Sequence, residues 1–296
     1  MEMKALVTGA AGFLGGHVAR RLLNDGFDVT GFDLQSGSIE DVRWLKGDLG
    51  DIDAVTRAVA GQDVVCHIGA IGDVYLAAAE PALAAAVNVT GSANIAEAAR
   101  QAGARVVYAS TWEVYGEPQR EPVDEDHPCE PDHPYSITKL AGERMLLAAG
   151  HLNDIPVVAL RLGTAYGSGL RPNSVFRIFI DRARQKQPIS IQGDGSQSRQ
   201  FTHAADIARA FSLASRSELR GLVFNTVAPE PISIKQLAEA VIARYPTDLL
   251  FAPARAGDVP PAIVSSARIT EMLGWVPEIS FDAGVGELMD SLADTP

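Results

Sequence analysis

Short apolar runs alternate with longer amphipathic segments along the first two-thirds of this 296-residue chain. The runs are rich in Val, Ile and Leu, which is typical of buried strands, and the longer segments repeat their apolar positions with helical spacing. The predicted strands are Lys4–Val7, Asp28–Phe32, Val42–Leu45, Asp63–Ile68, Arg105–Ala109 and Pro156–Arg161. The predicted helices are Phe13–Asn24, Asp51–Ala60, Pro81–Ala102 and Pro134–Gly150. This alternation predicts an α/β fold, in which a doubly wound parallel sheet with right-handed crossovers carries helices on both faces.

The pattern becomes less regular after Gly167. The elements predicted there are a helix near Val175–Gln185, a strand at Ile189–Ile191, a turn at Gly193–Gly195, a strand at Leu222–Asn225, a helix at Ile234–Arg244 and a last helix near Phe281–Leu292. We therefore predict a first domain over residues 1–166, with returns to its sheet near residues 201–228. Residues 167–296 are expected to form mainly a smaller α/β lobe that is interleaved with the sheet.

Composition narrows the classes of function. With 47% apolar residues and a formal net charge of −12, the chain is not expected to bind nucleic acid, because a phosphate backbone attracts cationic surfaces. An anionic small molecule can still bind where a few arginines converge. No apolar run approaches the ~20 residues of a membrane span, the first residues lead directly into a strand, and Cys66 and Cys129 lack metal-ligand spacing. We expect a cytoplasmic protein without a signal peptide, a membrane span or a metal site.

A glycine-rich turn, residues 9–15, joins the first predicted strand to the first helix. Glycines there permit a tight turn and close backbone approach, and the free N–H groups of the helix N-terminus suit a pyrophosphate. Asp33 ends the second strand about twenty residues later, where a carboxylate accepts hydrogen bonds from both ribose hydroxyls and repels a 2′-phosphate. No arginine follows in residues 34–37. The sequence therefore predicts a Rossmann domain that binds NAD rather than NADP through Gly9, Gly12, Phe13, Leu14, Gly15, Asp33 and Leu34.

Asp48 and Leu49 follow the third predicted strand. In one interpretation this pair meets the edge of the adenine ring. In the other, Asp48 is the N-cap of the next helix. The sequence leaves both open.

Groups that can move a proton follow the strand at Arg105–Ala109. The segment Ser110–Gly116 emerges at the carboxyl end of that strand, which is the edge where ligands bind in open α/β sheets. Tyr135 and Lys139 stand at i and i+4 of a predicted helix, so they share one helical face. Thr111, Tyr135 and Lys139 can together take a proton from a substrate hydroxyl and return it.

These features resemble the extended short-chain dehydrogenase/reductases, and among them the nucleotide-sugar epimerase/dehydratase branch. The resemblance covers nearly the whole chain and depends on the order and spacing of its motifs. The motifs are Gly9–Gly15, Asp33, Asp48–Leu49, His67–Ala70, Asn88–Gly91, Ser110–Gly116, Tyr135-x-x-x-Lys139, Arg161–Gly167, Arg199–His203 and Arg255–Asp258. The resemblance implies NAD as cofactor, a nucleotide-diphosphate sugar as substrate, and a homodimer formed through helices 81–102 and 134–150.

The resemblance also implies roles for single residues. Further cofactor contacts are implied for Asp48, Leu49, Ile68, Gly69, Ala70, Asn88, Tyr135 and Lys139. Substrate contacts are implied for Trp112, Thr164, Asn173, Val175, Arg199 and Arg255, with the two arginines on the diphosphate. Tyr135 is expected to act as the base, because the Lys139 ammonium and the positive nicotinamide ring lower its pKa from a free value near 10. Thr111 aligns the substrate hydroxyl while a hydride passes to the nicotinamide.

Trp112 and Glu113 discriminate between the reactions of this family. Relatives that remove water across C5–C6 of the sugar are similar in this segment but have Ser-Thr-Asp-Glu, in which the Asp is the acid and the Glu is the base. In this chain Trp112 takes the Asp position, and an indole cannot protonate a leaving hydroxyl. A 4-epimerase needs no such acid, because it oxidises C4 transiently and returns hydride to the opposite face of the 4-keto sugar. We therefore predict an NAD-dependent nucleotide-sugar 4-epimerase for a UDP-hexose or UDP-hexuronate-like substrate.

Other interpretations of the sequence stay open. Glu113 could be the base of a 4,6-dehydratase or of a UDP-glucuronate decarboxylase-like enzyme. The same hydride machinery could serve an NAD-dependent dehydrogenase or reductase on a substrate without a nucleotide. A Rossmann binding module without catalysis is the remaining class. Trp112 either shapes the sugar pocket or packs as ordinary core.

Overall fold

A parallel sheet of seven strands forms the centre of the computed structural model, which describes residues 2–253 and 263–293. The described residues form thirteen strands, of which seven belong to this sheet and six form three small two-stranded sheets. In chain order they are β1 (Lys4–Thr8), β2 (Asp28–Asp33), β3 (Arg43–Lys46), β4 (Val64–His67), β5 (Arg105–Thr111), β6 (Val157–Leu162), β7 (Thr164–Tyr166), β8 (Ile189–Gln192), β9 (Ser198–Arg199), β10 (Phe201–His203), β11 (Leu222–Thr226), β12 (Ile232–Ser233) and β13 (Leu249–Ala252). Their order in the large sheet is β3-β2-β1-β4-β5-β6-β11. The strand order reverses between β1 and β4, which is where ligands bind in doubly wound sheets. The predicted α/β class and sheet are confirmed.

Helices cover both faces of the sheet. They are α1 (Phe13–Asn24), α2 (Ile52–Val59), α3 (Val74–Ala79), α4 (Pro81–Ala85), α5 (Gly91–Ala102), α6 (Pro134–Asn153), α7 (Val175–Arg184), α8 (Ala204–Arg216), α9 (Ile234–Arg244), α10 (Ala267–Leu273) and α11 (Phe281–Ala293). Alternate residues of a strand serve opposite faces: Val7 packs in the cluster with α1 and α8, whereas Leu6 packs in the cluster with α2, α5 and α6. A third apolar cluster joins α7, α9 and α11 in a smaller lobe, with β8 and β10.

The predicted helix 81–102 contains a π-helical turn, Ala86–Thr90, between α4 and α5. Such turns insert one extra residue into a helix and often lie at functional sites. The turn contains Asn88, which is buried.

The N-cap interpretation of Asp48 is wrong. Asp51 caps α2 instead, because its Oδ1 accepts hydrogen bonds from the N–H groups of Asp53 and Ala54 at 3.0 and 3.1 Å. Asp48 Oδ1 accepts from the Gly50 N–H at 2.8 Å. Asp48 therefore fixes the turn before α2.

Three of the described helices, α3, α8 and α10, have no counterpart among the predicted elements. The buried positions of α8 are largely alanine and serine, yet the helix is clearly amphipathic, so the sequence did carry a signal for it that was overlooked. It begins at a cap in which His203 Nδ1 accepts the Ala205 N–H at 3.3 Å, and histidine is a rare cap signal. α10 has only seven residues.

Candidate active site

A cavity of about 800 Å³ opens at the carboxyl ends of the central strands. This size falls within the usual range of small-molecule and cofactor sites. The predicted site residues that line it are Gly9, Gly12, Phe13, Leu14, Gly15, Asp33, Leu34, Asp48, Leu49, Ile68, Gly69, Ala70, Thr111, Trp112, Glu113, Tyr135, Lys139 and Thr164. The glycine-rich turn of residues 9–15 (the cradle), Asp33 at the end of β2 and the group Thr111, Tyr135 and Lys139 therefore share one cavity.

Two glycines of the turn before α1 have no space for a side chain. A Cβ on Gly15 would lie 2.0 Å from the Gly9 carbonyl oxygen, and a Cβ on Gly9, whose φ is +68°, would lie 2.8 Å from Gly69 Cα. Within the described residues, no side chain caps α1 and its first turn has no acidic residue. The N–H groups at this helix start are thus available to an anion, as NAD requires.

Asp33 stands beside this cradle. Its Oδ2 accepts the Ala11 N–H at 3.1 Å, and its Oδ1 accepts the Gln35 N–H at 3.4 Å. Leu34 is 72% exposed at the cavity wall. A carboxylate held at the end of β2 fits the ribose of NAD and disfavours a 2′-phosphate.

Thr111, Tyr135 and Lys139 meet at the other end of the cavity. Strand β5 runs to Thr111, beyond the predicted end at Ala109. α6 begins at Pro134, with His133 Nδ1 accepting the Tyr135 N–H at 3.3 Å. The side chains of Tyr135 and Thr111 are hydrogen-bonded.

Lys139 is buried, and its Nζ lies 4.2 Å from the centroid of the Tyr108 ring. Burial lowers the pKa of Lys139 to about 7, although the charge of Glu143 acts to raise it. The ammonium is therefore held by an aromatic face and by a carboxylate one helical turn away.

The expected lowering of the Tyr135 pKa is not found among the groups of the chain. Burial raises the pKa of this phenol, the Glu113 charge adds to the rise, and the Thr111 hydrogen bond and the Arg171 charge oppose it. The lowering that a base needs must therefore come with the positive charge of bound NAD.

Trp112 and Glu113 directly follow Thr111 and line the same cavity. Burial raises the pKa of Glu113, the Arg199 charge lowers it, and the Asp132 charge raises it. Trp112 is only 8% exposed and packs with Val114, yet it also lines the cavity. Trp112 therefore packs in the core and also forms part of the cavity wall, and its role in shaping a sugar pocket stays a prediction.

Four predicted residues that the structure describes, Asn88, Asn173, Val175 and Arg199, do not line the large cavity. Asn88 Nδ2 donates to Thr138 Oγ1 at 3.0 Å, and Asn173 Nδ2 donates to Asp73 Oδ2 at 3.0 Å. Val175 begins α7 and packs on the lobe cluster, and Arg199 lines a small adjoining pocket together with Trp112. Arg255 lies outside the described residues.

Asp73 and Arg171 line the cavity but were missed in the sequence. Asp73 Oδ1 accepts the N–H groups of Tyr75 and Leu76, which caps α3, and its Oδ2 accepts from Arg171 Nη1 at 3.0 Å. An Asp before a helical run is a recognisable cap signal. Its bond to a loop almost a hundred residues later has no signal in a single sequence.

Comparisons with known proteins agree with this geometry. A profile of the NAD dependent epimerase/dehydratase family matches residues 5–226. The chain belongs to this family of enzymes. It is 33% identical to a UDP-glucose 4-epimerase of Mycolicibacterium smegmatis, over 97% of this chain and 98% of that protein.

Solved structures are similar over almost the whole chain. The UDP-glucose 4-epimerase of Thermotoga maritima, in complex with UDP-glucose, superposes with a TM-score of 0.93 at 28% identity, covering 99% of each chain. The UDP-glucose 4-epimerase of Thermus thermophilus, in complex with NAD, gives 0.89 at 30% identity, covering 99% of this chain and 100% of that one. NAD is thus the cofactor of this family member.

The described residues hold neither a helix long and apolar enough to cross a membrane nor a cluster of three metal-ligating side chains.

Proposed function

We propose that this protein is an NAD-dependent nucleotide-sugar 4-epimerase that acts on a UDP-hexose or UDP-hexuronate-like substrate. The observation that carries the proposal is the group Thr111, Tyr135 and Lys139 at the same cavity as the glycine cradle, with Trp112 where a dehydratase needs its acid. This arrangement supplies proton transfer but no second acid for a leaving hydroxyl.

Three residues of the chain have separate roles in the proposed reaction. Bound NAD supplies the hydride acceptor and then the donor. Tyr135 takes the proton of the C4 hydroxyl through its phenolic oxygen and later returns it, while Thr111 holds that hydroxyl in line. Lys139 supplies positive charge beside the reacting groups.

We propose that Arg199 and Arg255 hold the diphosphate of the substrate, and that Trp112 and Thr164 line the sugar. Arg199 adjoins Trp112, and its charge acts on Glu113, so positive charge is present at this end of the site. A guanidinium binds phosphate oxygens in bidentate fashion. Asn88 as a cofactor contact, and Asn173 and Val175 as substrate contacts, remain predictions.

Glu113 favours one alternative, a 4,6-dehydratase or UDP-glucuronate decarboxylase-like enzyme. This carboxyl lines the cavity and has a raised pKa, as expected of a base that works near neutral pH. The alternative lacks a proton donor at Trp112. For that reason we place epimerisation first.

We also propose that the protein is a cytoplasmic homodimer and that residues 1–166 and 167–296 are mainly cofactor and substrate domains. Ile137 and Met145 of α6 are 46% and 43% exposed, and Leu83 of α4 is 40% exposed. Apolar side chains exposed on two adjoining helices support a helical interface. Sedimentation of the purified protein tests the dimer.

The test of function is proton NMR of purified protein incubated with UDP-glucose, UDP-glucuronate and their N-acetyl relatives. Inversion at C4 without net NADH formation is expected, and Tyr135→Phe should abolish it. Tyr245→Phe, which removes a hydroxyl from the smaller lobe, is the matched control and should retain full activity.

Other products would select other functions. A 4-keto-6-deoxy sugar or released carbon dioxide establishes the Glu113 alternative. Stoichiometric NADH formation that is indifferent to Arg199→Ala establishes a dehydrogenase or reductase on a substrate without a nucleotide. Full cofactor binding with no turnover of any of these substrates refutes the epimerase.

A further inference from the structure

A buried histidine lies between the cofactor cradle and the catalytic helix α6. His67, the last residue of β4, is 1% exposed and stands opposite Thr8 in the register of β1 and β4. Its Nδ1 lies 2.9 Å from Thr8 Oγ1, and its Nε2 lies 3.1 Å from Ser92 Oγ on α5. The reaction steps above do not use this imidazole.

The hydrogen bonds around Thr8 fix where the proton of His67 sits. Thr8 Oγ1 accepts the N–H groups of Ile68 and Gly69, both at 3.0 Å. A hydroxyl has two acceptor lone pairs and one proton, so the remaining proton of Thr8 points to His67 Nδ1. Nε2 therefore carries the imidazole proton and donates it to Ser92 Oγ.

The series of hydrogen bonds continues in the same direction beyond Ser92. The Ser92 hydroxyl donates to the Asn88 carbonyl oxygen at 2.7 Å. Every donor from Thr8 to Ser92 then has an acceptor, and only one neutral tautomer of His67 satisfies the set. Such fully satisfied buried networks are rigid.

Each end of this hydrogen-bond series contacts a different part of the site. At one end, Ile68 and Gly69 line the cavity, and the Gly9 turn rests on Gly69. At the other end, Asn88 in the π-helical turn bonds to Thr138, which lies between Tyr135 and Lys139 on α6.

The surroundings keep the imidazole neutral. Burial, and next the charge of Lys139, lower the pKa of His67 to about 3. The other titratable group against it is Tyr108 of β5, whose ring centroid lies 5.4 Å away. A neutral ring is what the single tautomer requires.

We propose that His67 is a positioning residue that fixes the cofactor cradle through Nδ1 and the helix of Tyr135 and Lys139 through Nε2. The part that concerns turnover rests on the proposed epimerase function. The part that concerns NAD and backbone order does not.

Two substitutions separate the two nitrogens. In His67→Asn the amide oxygen replaces Nδ1, so the Thr8 bond is kept and the Ser92 bond is lost. In His67→Gln the amide nitrogen replaces Nε2, so the Ser92 bond is kept and the Thr8 bond is lost. The measurements are the Kd of NAD by calorimetry, amide hydrogen exchange, and kcat at saturating NAD.

Each substitution should affect a different end. His67→Asn should leave the Kd within about twofold, speed exchange over residues 86–92 and lower kcat about tenfold, the effect of one lost hydrogen bond. His67→Gln should weaken NAD binding about tenfold, speed exchange at Ile68 and Gly69, and leave kcat within about twofold.

Ser215→Ala is the matched control. Ser215 Oγ, on α8, lies 3.5 Å from Cys66 Sγ on the same strand β4 and donates to the Phe211 carbonyl at 2.8 Å. This change removes a buried serine hydroxyl from the other face of the sheet and should move neither Kd nor kcat.

The proposal is overturned if both His67 variants change Kd and kcat by equal factors, because a merely structural role predicts that result. It is also overturned if neither variant changes either quantity. If a His67 variant does not fold, Ser92→Ala and Thr8→Val remove the two partners singly and must give the same separate effects. If the wild type converts no nucleotide sugar, the proposed function fails, while Kd and exchange still decide the role of His67.

Discussion

Glu143→Gln tests the buried ion pair beneath the active site. The Glu143 carboxylate accepts from Ser110 Oγ at 2.6 Å, Arg161 Nε at 3.1 Å and Arg161 Nη2 at 2.7 Å. The side chains of Glu143 and Arg161 are 0% and 2% exposed. The substitution keeps the shape of Glu143 but leaves the Arg161 charge buried without a counter-charge.

We expect the free energy of unfolding to fall by about 3–5 kcal/mol, the usual cost of removing one partner of a buried pair. Urea unfolding, followed by circular dichroism with and without NAD, measures it. Replacing both partners by Met should restore part of the loss, because Arg161 then no longer leaves an unpaired buried charge.

The matched control is Glu97→Gln. Glu97 forms a similar two-bond contact with Arg100, at 2.8 and 2.7 Å, but both side chains are more than two-fifths exposed. Its loss should leave the unfolding free energy nearly unchanged. If Glu143→Gln costs no more than Glu97→Gln, burial is not what gives the pair its strength, and the reasoning is refuted.

Three further predictions concern the cavity. Gly15→Ala should abolish NAD binding in a calorimetric titration, because its Cβ would lie 2.0 Å from the Gly9 oxygen; Gly16→Ala, whose Cβ meets its nearest atom at 3.6 Å, should bind normally, and equal binding by both would contradict the cradle. Trp112→Asp should add a 4-keto-6-deoxy product detectable by mass spectrometry on UDP-glucose, and unchanged epimerisation alone would show that more than one acid is missing. Stability should rise with pH from about 7 to the ordinary Lys value near 10.5, because the unfolded chain binds the Lys139 proton in that window and the folded chain does not. Lys139→Met should flatten that rise in unfolding experiments at several pH values, and an unchanged slope would show that Lys139 is not its source.

Several site residues, from both ends of the cavity, were predictable because they follow strands directly. Gly9, Asp33 and Thr111 each stand at or just past the end of a buried apolar run, and carboxyl ends of parallel strands converge on one edge. The local pattern therefore placed them together without knowledge of the tertiary structure.

The rest depends on contacts between distant segments. Asp73 meets Arg171 only because the segment after Gly167 folds back over the sheet. The helix α8 is a different case, because it is amphipathic and its signal in the sequence was overlooked. The spacing did not reveal that burial and the Glu113 charge raise the pKa of Tyr135 when NAD is not bound; the lowering expected with bound NAD stays a prediction. Burial is a property of the folded chain that spacing does not reveal.

The contact between Asp73 and Arg171 bears on how ligands enter. It joins a loop of the cofactor region to a loop of the smaller lobe at the cavity wall, with side chains 22% and 50% exposed. Partly exposed ion pairs contribute roughly 0–1 kcal/mol, so the ion pair by itself gives at most about a fivefold preference for the joined state. The hydrogen bond from Asn173 Nδ2 to Asp73 Oδ2 adds to it. Salt weakens such pairs further. We therefore expect ligands to enter rapidly past this ion pair, and the rate of entry to increase with ionic strength, although the glycine turn behind it is tightly packed.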